Sequence, residues 1–319
     1  IFYIYSIQFL LVNSLDLYNK IQYNYTEDEL LVGQIAHYFT LFSSFSYCSP
    51  DRVSNNQCCP YDGEGNGLPN TKGRTENGWT LVEHDTSHVN YKDEYNIFSV
   101  FRSDKYQKTV ISFSGSQNFK QILGEEIFTR GCVSMICDDE DVCVGSYFKK
   151  RIDDLYPIIS QLTNTGIRDG YQLILVGHSL GGASAEAFLY IAVQKGLVKL
   201  DVNNPIIITY GQPKTGNKNF AIWIEKQTTA RFRFVNEGDI VPHTPVSTLY
   251  IKKNDQIKVQ VHRFLDHLQQ FYIPKSPKKQ NGIIIAETRG IKNIPFSEEE
   301  NQLADNCEAY YDIIKNDIQ

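Results

Sequence analysis

The chain has 319 residues, 41% hydrophobic and 21% charged. That is enough apolar matter to close a core over one large α/β domain or two small ones, and too little charge for a chain disordered by composition. A formal net charge of −6 lacks the basic excess that neutralises phosphates, so no nucleic-acid partner is expected.

From its start, Ile1 to Val12 is apolar, and no charge appears before Asp16. The run is too short to span a bilayer but suits the apolar core of a signal peptide, with small residues at Val12-Asn13-Ser14 for cleavage. Residues 1–14 are therefore expected to be a signal-peptide remnant, and 15–319 one domain with a C-terminal extension after about residue 275. Seven cysteines stand at 48, 58, 59, 132, 137, 143 and 307. Their spacing is not that of a zinc site, and no histidine lies near enough to complete one. Disulfides in a secreted protein, or one passing through the endomembrane lumen, account for them better. Asn24-Tyr25-Thr26 is a glycosylation sequon, and no other segment reads as transmembrane.

Leu30, Leu31, Ile35, Tyr38, Phe39 and Phe42 recur at helical spacing and predict an amphipathic helix over 27–47. Residues 49–79, rich in Gly, Asn, Pro and Cys, read as a cross-linked loop. Ile97–Arg102 and Thr109–Phe113 read as strands joined at Ser103-Asp104-Lys105, and 148–164 as a helix with a kink or boundary at Pro157. Gln172–Gly177 is a short continuous apolar run, as in a strand buried on both faces. A helix follows over Ser179–Lys195, which Gly196 can end. Pro205–Tyr210 is a second buried strand, 217–227 a helix and Arg231–Val235 a third strand. Leu249–Lys252 and Gln256–Val261 flank Asn254-Asp255 as a hairpin, and Asp266–Tyr272 reads as an amphipathic helical stretch. Strands alternating with helices imply an α/β fold, with a mostly parallel central sheet and helices on both faces.

Gly177-His178-Ser179-Leu180-Gly181 lies between the first of these buried strands and its helix. G-x-S-x-G in that context is the strand-to-helix elbow of the α/β-hydrolase type. It lifts a serine hydroxyl clear of the backbone and aims a helix N-terminus at a developing oxyanion. Ser179 is the expected nucleophile. A hydroxyl needs a base held by a carboxylate, in the chain order Ser, acid, His. Asp239 follows a strand and is the expected acid. Asp201 precedes a strand, which places it at the other edge of the sheet. His267 opens the last amphipathic stretch and is the expected base, with His262 as fallback. His243 lies between prolines and reads as structural, as does His178, packed beneath the elbow. His37, His84 and His88 precede the motif and break the order.

The oxyanion needs two donors. One is the backbone N–H of Leu180, the residue after the nucleophile. Ser116, at the end of Thr109–Gly115, is the other. Phe119, Ile122, Leu123, Ile127 and Phe128 then recur at helical spacing among polar residues. This is the candidate lid, able to cover a cleft in water and open on a lipid surface.

Several of these motifs together resemble the class 3, fungal-type triacylglycerol lipase family. They are Phe113-Ser-Gly-Ser116, Val176-Gly-His-Ser-Leu-Gly-Gly-Ala183, Thr209-Tyr-Gly-Gln-Pro-Lys-Thr-Gly-Asn217, Val235-Asn-Glu-Gly-Asp-Ile-Val-Pro-His243 and Ser46-Tyr47-Cys48. The resemblance spans about residues 30–272. It implies Ser179 as nucleophile, Asp239 as acid and Ser116 as oxyanion serine. The family usually carries Arg where this chain has Ser114. Asp266-His267-Leu268 matches the pattern expected around the histidine. Cys307-Glu-Ala-Tyr-Tyr also resembles what precedes that histidine in some members, which would place the base after Gln319. The expectation is a serine ester hydrolase acting on a glyceride or other lipid ester, with transient contact at a lipid interface. No metal or organic cofactor is expected. A soluble-ester or feruloyl-type esterase, a phospholipase, and a non-catalytic lipid-binding homologue are the alternatives.

Overall fold

Leu173 and Leu175 pack on one side of a sheet while Ile174 and Val176 pack on the other. An apolar run without alternation is what a strand covered on both faces requires. The computed structural model describes residues 29–48, 67–86, 97–115, 135–138, 141–236, 239, 241–243, 248–253, 256–261, 269–273, 279–280, 283–284 and 287–290, those from 248 by backbone alone.

Its elements run in chain order as α1 (Glu29–Phe45), β1 (Thr75–Glu76), β2 (Trp79–Asp85), β3 (Phe98–Ser103), β4 (Lys108–Phe113), β5 (Met135–Cys137), β6 (Cys143–Gly145), α2 (Ser146–Arg168), β7 (Gln172–His178), α3 (Leu180–Gln194), the single turn α4 (Leu200–Asn203), β8 (Ile206–Tyr210), α5 (Lys218–Gln227) and β9 (Ala230–Asn236). A 3-10 turn at Val241–His243 follows, then β10 (Thr248–Lys253), β11 (Gln256–Val261), β12 (Gln269–Ile273), β13 (Lys279–Gln280), β14 (Ile283–Ile284) and β15 (Glu287–Gly290). Nine strands form one sheet in the order β1-β2-β3-β4-β7-β8-β9-β12-β15. Its centre, β4 to β12, is parallel. Antiparallel neighbours flank it on both sides.

One face is closed by α1, whose Phe39, Phe42 and Phe45 join Trp79, Phe101, Val110, Ile208 and Phe234. The other is closed by α2, α3 and α5, where Phe188 is fully buried beside Phe98, Phe113, Leu155 and Phe220. Helices thus cover both faces, as expected of an α/β-hydrolase fold. β5 and β6 make a short hairpin in which Cys137 stands directly opposite Cys143, and the two form a disulfide. A bridge from Val144 to Gly216 and a hydrogen bond from Tyr190 Oη to the Asp138 carboxylate fix the hairpin to the core.

Three local features differ from the sequence expectations. The loop expected over 49–79 yields to β1 and the start of β2 near its end. Helix α2 runs through Pro157 unbroken; the proline is exposed, so water can satisfy the carbonyl whose partner its missing N–H would have been. Of the amphipathic helix expected over 266–272, the described part, 269–272, lies instead in β12, parallel to β9 with Ile273 opposite Asn236. Its Phe, Tyr and Ile favour extended backbone, and a run this short carries too little periodicity to separate helix from strand. The segment after about residue 275 contributes β15 to the same sheet.

His84 joins the layers: its Nε2 donates to Cys48 O at 2.9 Å, so Nδ1 accepts from Ser99 Oγ at 2.8 Å. Burial holds the ring below the ordinary value of 6.5, against the charges of Glu83 and Asp85. The fold therefore holds the neutral ring. Stability from this group is complete above pH 6.5 and is lost as pH falls below that value toward the depressed folded one. The free energy of urea unfolding should fall between pH 7 and pH 5, and His84→Gln should flatten that fall; an unchanged slope would refute the assignment.

Candidate active site

Ser179 separates β7 from α3 with φ 55° and ψ −127°. A non-glycine residue there costs about 1–3 kcal/mol and persists only where its surroundings over-determine it. Ser179 N–H donates to Tyr210 O at 2.8 Å, and Gly182 N–H to Ser179 O at 3.0 Å. The neighbouring glycines allow the crossing. A Cβ on Gly177 would strike the Gly181 carbonyl, and one on Gly181 would strike Phe113 O. The first turn of α3 thus lies directly on the ends of β7 and β4. Leu180 opens that helix, where backbone N–H groups have no intrahelical partner.

The end of β4 is tied on all sides. Ser114 donates to Ile97 O from both its N–H and its hydroxyl, each at 3.0 Å. Its carbonyl accepts Nη2 of the buried Arg151, from α2, at 2.9 Å. A guanidinium therefore does serve this loop, reaching it from α2 rather than from position 114. Gly115 N–H donates to Tyr47 Oη at 2.9 Å. A Cβ on Gly115 would lie 3.2 Å from Ser179 Cβ, so the loop touches the elbow just before Ser116.

Asp239 follows β9 at the same edge. Its N–H donates to Asn236 O at 3.1 Å and its Oδ1 accepts Val241 N–H at 3.0 Å. Oδ2 points at Gly211: a Cβ there would lie 2.9 Å from it and 3.7 Å from His178 Nε2. Gly211 has φ +55°, so both backbone and space require glycine. The buried Arg233 donates from Nη2 to Gln212 O at 2.7 Å and Pro242 O at 2.9 Å, pinning the loop after β8 to the loop that carries Asp239.

Ser179, Leu180 and Asp239 are thus brought to one edge. Ser116, the segment Phe119, Ile122, Leu123, Ile127 and Phe128, and both candidate bases, His262 and His267, lie outside the described residues. Neighbouring backbone bears on the bases. β12 begins at Gln269 and runs toward the Asp239 edge, so Gln269 stands about 13 Å along the strand from Ile273, at its far end. Val261, before His262, pairs with Thr248, a short step of chain after the Asp239 loop. His178, expected beneath the elbow, is exposed at the end of β7. Its Nδ1 lies 2.7 Å from Tyr47 Oη. Packed surroundings lower its pKa, against the charge of Asp239. Sequence reasoning missed the roles of Tyr47, Arg151, Gly211 and Arg233. Tyr47 and Gly211 lie inside quoted motifs; Arg151 and Arg233 sit in ordinary helix and strand patterns and carry no local signal. Among the described residues no cluster of His, Cys, Asp and Glu could hold a metal ion.

A family model described as "Lipase (class 3)" matches residues 110–249. Lipases of Rhizopus niveus and Rhizopus oryzae are each 31% identical over 149 residues, 46% of this chain and 37% of theirs. The chain thus spans less than half the length of the curated relatives it matches. A chloroplastic phospholipase A1-Igamma1 of Arabidopsis thaliana is 32% identical over 120 residues, 36% of this chain and 23% of its own. In fold, lipase II from Rhizopus niveus superposes with a TM-score of 0.56 at 19% identity, over 88% of this chain and 89% of that one. A triacylglycerol lipase whose catalytic centre is a serine protease triad gives 0.54 at 20% identity, over 75% and 79%.

Gly211→Ala should push the Asp239 carboxylate out of place. We expect phosphonylation of Ser179 by a fluorophosphonate to slow about tenfold or more while thermal unfolding shows a folded protein; an unchanged labelling rate would show that Asp239 does not need this position.

Proposed function

From the match of residues 110–249 to the class 3 lipase family model, we propose that the chain is a serine ester hydrolase acting on glycerides through an acyl-enzyme. The observation that supports this most is the strained Ser179 at the mouth of α3, with Asp239 and the Gly115 loop gathered at the same edge. A histidine held by Asp239 takes the Ser179 proton, and Ser179 Oγ attacks the ester carbonyl. Leu180 N–H and Ser116 receive the oxyanion. The protonated histidine hands its proton to the departing alcohol, and water then cleaves the acyl-enzyme by the same steps. Gly115 N–H is already taken by Tyr47, which leaves the next residue, Ser116, to complete the pair.

For the base, Asp266-His267-Leu268 carries the family-like pattern. A second assignment, His262, is favoured by two observations: Gln269 stands at the end of β12 far from the Asp239 edge, and Val261 pairs with Thr248, shortly after the Asp239 loop in the chain. His267→Ala and His262→Ala, made separately, decide between them; the true base should lose about a thousandfold or more in kcat, and retention of turnover by both would place the base outside 262–267.

The apolar positions of 119–128 serve as a lid in this reading, with transient adsorption to a lipid surface and export from the cell. The Cys137–Cys143 disulfide suits an oxidising compartment, and no helix among the described residues is long and apolar enough to cross a membrane. Hydrolysis of tributyrin as its concentration crosses the solubility limit tests both substrate and lid, with Ser179→Ala as control. A jump in rate at the emulsion, absent in the variant, is expected. A smooth saturating curve, equally absent in the variant, would indicate a soluble-ester or feruloyl-type esterase, and preference for phospholipid vesicles a phospholipase. No turnover above the variant would leave a lipid-binding homologue.

A further inference from the structure

Tyr47 stands just beyond the end of α1, and its backbone N–H donates to Ser44 O at 3.1 Å. The next residue, Cys48, is disulfide-bonded and gives its carbonyl to His84. The ring is therefore held in place by structure far from β4 in sequence. Its phenol oxygen accepts Gly115 N–H at 2.9 Å and has one proton to donate. Two acceptors face it: His178 Nδ1 at 2.7 Å and His178 O at 3.4 Å. The shorter, well-placed acceptor takes the proton. His178 Nδ1 is then the unprotonated nitrogen, and Nε2 carries the hydrogen. Nε2 and Asp239 Oδ2 converge on Gly211, whose missing side chain leaves room for both.

We propose that Tyr47 and His178 are positioning residues: a relay of hydrogen bonds from Gly115 N–H through the Tyr47 phenol and the His178 ring toward Asp239, which sets the Gly115–Ser116 peptide for the oxyanion and couples it to the acid. This rests on the ester-hydrolase reading. Through it the end of β4 is tied to a ring whose Nε2 faces the same gap at Gly211 as Asp239 Oδ2. The phenol stays protonated throughout, since burial raises it to about 12, and the nearby Arg151 opposes that shift without removing it.

The first test is kinetic, on the full chain, with p-nitrophenyl butyrate. Tyr47→Phe keeps the ring and removes the bridge. Its kcat should fall about tenfold while KM stays within about twofold, because the peptide it aims acts in the transition state. His178→Asn keeps an acceptor where Nδ1 stood and should recover most of the rate lost in His178→Leu. The double variant Tyr47→Phe/His178→Leu should be no slower than the worse single one, as expected of members of one chain. Wild-type kcat in Tyr47→Phe, or additive losses in the double variant, would overturn the relay. The second test needs no turnover: 15N spectra of histidine-labelled protein should show His178 with the proton on Nε2, and this should change in Tyr47→Phe. A proton on Nδ1 in the wild type would overturn the proposal outright. Failure of the wild type to hydrolyse any ester would refute the hydrolase reading instead, and the nitrogen spectra would then decide the relay alone.

Discussion

Ser179 occupies a backbone conformation that an L residue resists, and the C-terminal edge of the sheet is arranged around keeping it there. A turn this tight requires β7 to hand over to α3 with no intervening loop. The helix must then lie on the ends of β7 and β4, closer than any side chain allows. Gly177 and Gly181 are the residues that permit it. The strain is offset by hydrogen bonds from elements on either side and by the packing of α3, whose residues 180–192 are all buried. Because β4, β7, β8 and β9 run parallel, each releases its following loop at that same edge. Ser179, Asp239 and the Gly115 loop therefore meet although they are far apart in the chain.

Buried polar groups hold these loops in register. Glu186, fully buried in α3, accepts Thr215 Oγ1 at 2.6 Å, and Thr215 in turn accepts Gln212 Nε2 at 2.9 Å. Arg231 lies 3.7 Å from Glu186 and 2.7 Å from Glu225. Gln212 adjoins Gly211, the glycine beside Asp239. The network thus runs from the middle of α3 to the loop after β8, and Arg233 carries it on to Pro242. Such pairs add little net stability, since desolvation offsets their attraction. What they supply here is a single allowed spacing between loops that chain connectivity alone would leave loose.

Elements with strong pattern were readable in the sequence. β7, α3, β8 and β9 emerge within a residue or two because continuous apolar runs and a glycine stop leave few alternatives. The elbow was readable because its glycines and serine are adjacent in the chain. Gln269–Tyr272 was not, since sheet pairing decided its form over an ambiguous pattern. Nor were the partners of Ser114 and Gly115: Arg151 and Tyr47 reach the loop from helix surfaces and helix ends, where neither residue type is unusual. The motif Ser46-Tyr47-Cys48 marked the place but not the phenol's use. The exposure of His178 was not readable either, because a residue that ends its strand beside Ser179 meets solvent rather than core.

The anchoring on either side of residues 116–134 has a consequence for how the protein can vary. Before that segment, Gly115 is held by Tyr47 and Ser114 by Arg151. After it, the β5–β6 hairpin is closed by Cys137–Cys143 and bridged to Gly216. Neither mooring depends on the chain between them. Doubling the length of such a connection costs only about 0.6 kcal/mol in closure entropy. The connection between these moorings can thus change in length at little cost to the fold, so under the hydrolase reading its exchange between relatives is a route to altered substrate preference that leaves the Gly177–Gly181 turn as it is.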